Sequence, residues 1–195
     1  MGTSTPWGPA QDSTPYGRGI VFYGTAGHGG FHVSPTLNAL MPEALRLPSG
    51  WYEEDCEYAR VILAFPERFD PERVKAARES LRTWAPEDFE KLTGKVVMPG
   101  ESYVRDEDIF RAENKERMIT LAASGSGAGR SMATPGGPVP EGMVEVFAGR
   151  GGRLESGRYP AETAYYLVPE AEYDNPARGS FVIDEGRHAL VRGGR

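Results

Sequence analysis

The sequence predicts one α+β domain over residues 1–195, because strands and helices occupy different parts of the chain. Glycine-punctuated, β-like text fills residues 7–34, and short strand candidates return after residue 142. Between them, residues 49–94 carry apolar residues at the spacing of three and four that is typical of amphipathic helices. This segregation favours α+β over a sheet in which strands and helices alternate.

The N-terminal region is predicted to form an antiparallel β meander. β-branched and aromatic residues indicate strands at 20–25 and 30–34, and an edge strand is expected at 11–15. A serine followed by a proline then has the capping pattern that starts a short helix, predicted over residues 35–41.

The middle of the chain is predicted to be helical. In the clearest helix, over 49–65, one apolar stripe combines Tyr52, Cys56, Ala59 and Leu63. A second helix begins at Asp70-Pro71, with a buried face of Val74, Ala77, Leu81 and Trp84. Shorter helices are expected at 86–94, where a glycine ends the helix, and at 106–117.

The C-terminal part is predicted to be mostly β. A strand at 118–124 leads into residues 124–142, where glycine, proline and small residues without apolar periodicity predict a mobile loop. Strands are then expected at 143–148, 163–169, 180–184 and 188–191.

Composition limits the classes of function. The net charge of −6 and the pI of about 5.2 argue against binding to nucleic acid or to an anionic membrane. A single cysteine, Cys56, excludes an internal disulfide or a thiolate zinc cluster. The N-terminal sequence lacks a secretory pattern, and the longest apolar run, 61–65, is too short to span a bilayer. We therefore expect a cytoplasmic protein without a cofactor and without a membrane partner.

Two of the three histidines lie in the segment GTAGHGGFHVS, residues 24–34. In an extended strand His28 and His32 would be about 13 Å apart. If Gly29-Gly30 formed a two-residue hairpin turn, the two imidazoles would point to opposite faces. Only a bulged loop would bring them together, so the sequence predicts no metal site. It favours a glycine-rich turn in which one imidazole is hydrogen-bonded.

Other chemical motifs are weaker. Four acids at 53, 54, 55 and 57 cannot converge from consecutive helical positions, so we expect them to cap the helix, with one pairing to an imidazole or arginine. Cys56 lies on the apolar stripe, which favours a buried inert thiol over a nucleophile. The glycine-rich stretch 125–131 lacks the lysine of a phosphate-binding loop.

Several stretches of the sequence resemble a family of uncharacterised bacterial domains that occur on plasmids, prophages and other mobile elements. They are TPWGPAQ (5–11), GIVFYGTAGHGGFHVS (19–34), GWYEEDCEYA (50–59), PGES (99–102), VPEGMVEVFAGRGGR (139–153), YYLVPEAEY (165–173) and FVIDEGRHA (181–189). Tyr58 stands where the family is expected to have tryptophan. The resemblance implies one continuous domain and a mobile-element context, and it carries no established activity.

We therefore expect a non-enzymatic protein that binds a host or mobile-element protein and inhibits or modulates a host defence system. Aromatic residues at the starts of elements are favoured interface anchors. The predicted contact patch consists of Trp7, His28, Gly29, Gly30, Phe31, His32, Trp51, Tyr52, Glu53 and Glu54. The alternative is a small hydrolase or nucleotide-processing enzyme that uses His28 or His32 as a base, with Glu53 or Glu54 as its orienting carboxylate. The sequence leaves the oligomeric state open.

Overall fold

The chain packs into two compact units, residues 1–106 and 107–195. The computed structural model describes residues 3–128, 130–134, 137–154, 156–173 and 181–193. N-terminal antiparallel strands are followed by helices and then by a C-terminal antiparallel sheet, so the predicted α+β class is confirmed. That these residues form one folding domain stays a prediction.

Six short strands lie among the residues of the first unit that the structure describes. They are β1 (Ser4–Thr5), β2 (Gly8–Pro9), β3 (Asp12–Pro15), β4 (Ile20–Gly24), β5 (Gly29–Val33) and β6 (Trp51–Glu53). β1 and β2 form a small hairpin, and the other four form an antiparallel sheet in the order β3-β4-β5-β6. The predicted meander is therefore present, with β6 added as a fourth strand.

The turn between β4 and β5 lies earlier than predicted. Thr25–His28 form it, and Gly29 and Gly30 belong to β5, where they pair with Gly24 and Tyr23. The amide and the hydroxyl of Thr25 both donate to the carbonyl of His28. Neither Gly29 nor Gly30 has a positive φ, so the predicted Gly-Gly hairpin turn is wrong.

The predicted helix over 49–65 is wrong in its first half. Trp51–Glu53 form β6, and the helix α2 begins only at Tyr58. Tryptophan and tyrosine have high strand propensity, and pairing with β5 satisfies the backbone of this segment. Cys56 lies in the turn between β6 and α2 and is exposed, so its predicted place on a buried stripe is wrong as well.

Four α-helices lie wholly among the described residues of the first unit: α1 (Pro35–Asn38), α2 (Tyr58–Ala64), α3 (Pro71–Trp84) and α4 (Pro86–Thr93). As predicted, α3 begins at a capping aspartate, since the Asp70 carboxylate accepts a hydrogen bond from the Arg73 amide. Ala77 and Leu81 are buried, but Trp84 is 60% exposed. Trp84 ends α3, where the chain turns into α4, so its predicted burial is wrong.

The core of the first unit lies between the sheet and these helices. Its largest fully buried side chains are Tyr52, Phe31, Ile20, Leu45 and Ile62. Phe31 lies on β5 and Tyr52 on β6; the two residues pair directly across the strands and face the core together. The neighbouring residues of β5 and β6 therefore point to the opposite face of the sheet, away from this core.

The second unit contains an antiparallel sheet in the order β10-β9-β8-β7. Its strands are β7 (Met118–Gly125), β8 (Met143–Arg150), β9 (Thr163–Pro169) and β10 (Ala189–Gly193). They match the predicted strands at 118–124, 143–148, 163–169 and 188–191 closely.

The helix α5 (Tyr103–Glu113) contains the residue at which the two units divide, and it starts before the predicted 106–117. The strand predicted at 180–184 is reduced to an isolated bridge at Val182, and residue 180 lies outside the described residues.

The glycine- and proline-rich segment 124–142 contacts this sheet at its described residues. Glu145 on β8 is 2% exposed and accepts hydrogen bonds from the Ser131 hydroxyl and from the amides of Met132 and Ala133. Ala133 is itself buried. Because strand residues alternate between faces, Glu145 points away from the apolar side of β8 and holds this segment on the other face.

Candidate functional site

The candidate site lies on the outer face of the first sheet, opposite the core. Residues that pair directly across β5 and β6 share a face, so Gly30 lies beside Glu53 and His32 beside Trp51. Between these pairs, Phe31 and Tyr52 point the other way into the core. The strand alternation therefore sorts the predicted patch into outward and inward residues.

Four aromatic rings cover this outer face, and we call them the outer-face aromatic cluster: Trp7, Tyr23, His32 and Trp51. Trp51 is at its centre, with ring centroids 4.5 Å from His32, 5.7 Å from Tyr23 and 5.8 Å from Trp7. The two indoles meet edge to face, at an interplanar angle of 87°. All four side chains are half-buried, so each keeps part of its surface accessible.

Gly30 makes the position of Trp7 possible. A Cβ at Gly30 would lie 2.3 Å from Cη2 of Trp7 and 2.4 Å from the carbonyl oxygen of Tyr52. The indole therefore lies directly on the strand backbone, which only glycine permits. Thr5 holds the hairpin that carries Trp7, since its hydroxyl donates to the Gly8 carbonyl and accepts from the Trp7 amide.

An acidic turn, residues 53–57, borders the aromatic cluster. The Oε2 atom of Glu53 accepts hydrogen bonds from the amides of Asp55 and Cys56, at 2.7 and 3.0 Å. Its Oε1 atom lies 3.7 Å from Nδ1 of His28. The His28 side chain is 60% exposed and that of Glu53 is 19% exposed. The expectation that one acid of this turn pairs with an imidazole is therefore confirmed. The expectation that these acids cap a helix is wrong, because α2 begins only at Tyr58, with no side-chain cap and no acid in its first turn.

The acidic turn also affects the thiol of Cys56. Partial desolvation, together with the nearby carboxylates of Glu53 and Asp55, raises the pKa of Cys56 because each disfavours the thiolate. A raised pKa reduces the thiolate fraction at neutral pH, which opposes a nucleophilic function.

Tyr52 supports the outer face from beneath. It is fully buried, donates from its hydroxyl to Oδ1 of Asn38 at 2.5 Å and accepts from the Leu47 amide at 2.9 Å. Burial raises the pKa of Tyr52. The side-chain Nδ2 of Asn38 in turn donates to the Leu47 carbonyl. This polar network ties the chain between α1 and β6 to the underside of the sheet.

Two depressions lie in the first unit, one at the border of the aromatic cluster and one apart from it. A pocket of about 300 Å³ next to His32 is also lined by Arg46 and Ser49. A groove of about 530 Å³ between α2 and α3 is lined by Cys56, Arg60 and Trp84, among other residues. Trp84 thus offers an exposed tryptophan on a different surface of the same unit.

The structure brings the predicted patch only partly to the surface. Trp7, His32, Trp51, His28, Glu53 and Glu54 lie on or beside the outer face, whereas Gly29, Gly30, Phe31 and Tyr52 are buried. Sequence reasoning missed Tyr23, although the alternation in β4 places Tyr23 opposite the inward Phe22. It also grouped Asp55 with a helix start, and the structure places Asp55 close to His28.

Residues 1–115 match the model of a family described as a domain of unknown function, DUF7007. The chain belongs to this family. The match confirms the resemblance to an uncharacterised family, and it covers the whole first unit with the outer face of its sheet. The DUF7007 match ends before the stretches at 139–153, 165–173 and 181–189 to which the resemblance was also attributed. No curated protein and no solved structure matches the chain.

Among the described residues, no helix is long and apolar enough to cross a membrane.

Proposed function

We propose that this DUF7007 protein is a non-enzymatic, cytoplasmic binding protein of a phage or plasmid, and that it binds another protein through the outer face of its first sheet. The outer-face aromatic cluster carries this proposal. A sheet face that is not packed against a core is normally covered by polar side chains. Here it presents two tryptophans, a tyrosine and a histidine, all half-buried.

The cluster has the properties of an interface centre. Tryptophan and tyrosine supply large apolar areas and are enriched among the residues that dominate binding energy. Because Trp51 contacts three other rings, these side chains are held in place before a partner arrives. Such preorganisation lowers the entropic cost of association.

The acidic turn indicates the charge of the partner. Glu53, Glu54 and Asp55 border the cluster, and the whole chain carries a net charge of −6. Opposite charges around an interface accelerate association and select partners. The partner is therefore proposed to be a host protein with a basic surface, and the resemblance to mobile-element domains supports a role in inhibiting or modulating a host defence system.

The test is capture of a partner from a host lysate, followed by binding measurements with purified proteins. A variant with alanine at His28, Trp51, Glu53 and Glu54 is expected to bind at least about 30-fold more weakly, since truncation of a central anchor costs about 2 kcal/mol or more. Trp84→Ala is the matched control, because it removes an exposed tryptophan on another surface. Circular dichroism checks that both variants fold. Undiminished binding by the four-alanine variant would show that this surface is not the interface.

A second candidate is the small hydrolase or nucleotide-processing enzyme, which the 3.7 Å approach of His28 and Glu53 favours. In this candidate Glu53 orients the His28 imidazole, which accepts a proton from water or substrate. His32 contacts Trp51 instead. Turnover of ester or phosphodiester model substrates that is lost in a folded His28→Ala variant would establish the enzyme and replace the binding proposal.

A further inference from the structure

We propose that His28, Glu53 and Asp55 form a binding site for a divalent transition-metal ion such as Zn²⁺. This inference goes beyond the proposed binding function and does not depend on it. It also differs from the His28–His32 chelate that the sequence argues against. The second ligand, Glu53, ends the neighbouring strand β6, and the third, Asp55, lies in the turn that follows it.

The three side chains already converge. Each offers one ligand atom, and these atoms lie within 4.8 Å of one another. Among them, Nδ1 of His28 and Oε1 of Glu53 lie 3.7 Å apart. Zinc bonds of about 2.0–2.2 Å place two tetrahedral ligands about 3.4 Å apart. Small side-chain rotations therefore suffice to close the site, and the exposed His28 and Asp55 are free to make them.

Glu53 provides a second observation that points to a cation. Its Oε2 atom is fixed by two backbone amides, which sets the direction of the carboxylate. Its Oε1 atom is inaccessible to solvent and has no hydrogen-bond partner among the described residues. A buried carboxylate oxygen that accepts no hydrogen bond is energetically unfavourable. A metal ion between Oε1 and Nδ1 would satisfy this atom.

The ligand types favour a transition metal. One imidazole nitrogen and two carboxylate oxygens suit Zn²⁺ and its neighbours in the first row, whereas Ca²⁺ prefers six to eight oxygen ligands. Three protein ligands leave a fourth position for water or for an outside donor. The ion would also neutralise the two carboxylates and fasten the β4–β5 turn to the acidic turn.

Isothermal titration of the untagged, chelator-treated chain with Zn²⁺ tests the site. The wild-type protein is expected to bind one ion per chain and to melt at a higher temperature with Zn²⁺. His28→Gln and Asp55→Asn change exposed residues and are each expected to weaken binding at least tenfold. Removal of an outer-shell partner alone typically costs about 10–100-fold.

Two matched controls separate this site from other donors nearby. His32→Gln removes the other histidine of the β4–β5 region, and Cys56→Ser removes the adjacent thiol; both variants are expected to bind Zn²⁺ as the wild type does. Absence of stoichiometric binding by the wild-type chain would overturn the proposal. So would unchanged affinity in His28→Gln and Asp55→Asn, a tenfold loss in either control, or binding of Ca²⁺ in preference to Zn²⁺.

Discussion

Replacing Gly30 by alanine tests the packing of Trp7 on the sheet. The new Cβ would lie 2.3 Å from the Trp7 ring and 2.4 Å from the Tyr52 carbonyl oxygen. Both distances are about 1 Å shorter than an ordinary van der Waals contact. The Trp7 hairpin can move away, but the Tyr52 carbonyl belongs to the paired strand, so β5 and β6 must separate locally.

The expected loss of stability follows from two opposing terms. Overpacking typically costs about 1–3 kcal/mol, and a clash with backbone lies at the upper end of that range. Alanine also restricts the unfolded chain, which returns about 0.4–1 kcal/mol. We therefore expect a net loss of about 2 kcal/mol, which lowers the melting temperature of a chain of this size by about 4–8 °C.

Urea denaturation followed by tryptophan fluorescence measures this loss, since all three tryptophans lie in residues 1–106. Gly27→Ala is the matched control, because a Cβ at Gly27 meets no atom within 4 Å and Gly27 has no positive φ. Adding Trp7→Ala to Gly30→Ala should restore only part of the stability, because the clash with Tyr52 remains. Equal stability of Gly30→Ala and Gly27→Ala, within about 0.5 kcal/mol, would refute the reasoning.

Four further predictions follow from the described contacts. Tyr52→Phe removes the hydroxyl that bonds the Leu47 amide and the Asn38 side chain, so the free energy of unfolding measured in urea should fall by about 2–4 kcal/mol. An unchanged free energy of unfolding would contradict a stabilising role for this network. Glu145→Gln leaves at least one of three donors unsatisfied, so the free energy of unfolding followed by circular dichroism should fall by about 1.5–3 kcal/mol. The segment that Glu145 holds, residues 131–133, should also be cut faster by proteases. Alkylation of Cys56 should have its pH midpoint above that of a free thiol, and Glu53→Gln should move the midpoint to lower pH; a midpoint at or below the ordinary value would be inconsistent with the described carboxylates. If the chain is one domain, tryptophan fluorescence from residues 1–106 and circular dichroism from the whole chain should report coincident unfolding, and separate midpoints would contradict that prediction.

The sequence predicts most strands and helices of this fold because their patterns are local. Alternation identifies β9 at its observed bounds, and the aspartate–proline pair marks the start of α3. The pattern fails at residues 49–65, where aromatic and acidic residues fit an amphipathic helix as well as a strand. Pairing with β5 decides between them, and that pairing joins residues about twenty positions apart in the sequence.

The candidate site shows the same limit more sharply. Composition singles out His28 and the four acids, but nothing local indicates that Glu53 and Asp55 are the ones that lie near the imidazole. Similarly, the two glycines at 29 and 30 look like a turn in the sequence. The structure uses them for close approach, by Trp7 at Gly30 and by the Glu54 side chain at Gly29. Turn and close-approach glycines differ only in their neighbours in space.

The outermost strands of the first sheet limit how another chain can attach to it. β3 is four residues long, begins at Asp12 and ends at Pro15, and β6 has three residues and runs directly into the acidic turn. Short strands, charges and proline are features by which natural sheets discourage a further strand from pairing with a free edge. A bound peptide that extends the sheet, as in β-augmentation, is therefore disfavoured at both borders. Recognition would have to proceed through side chains that meet the indole rings from above.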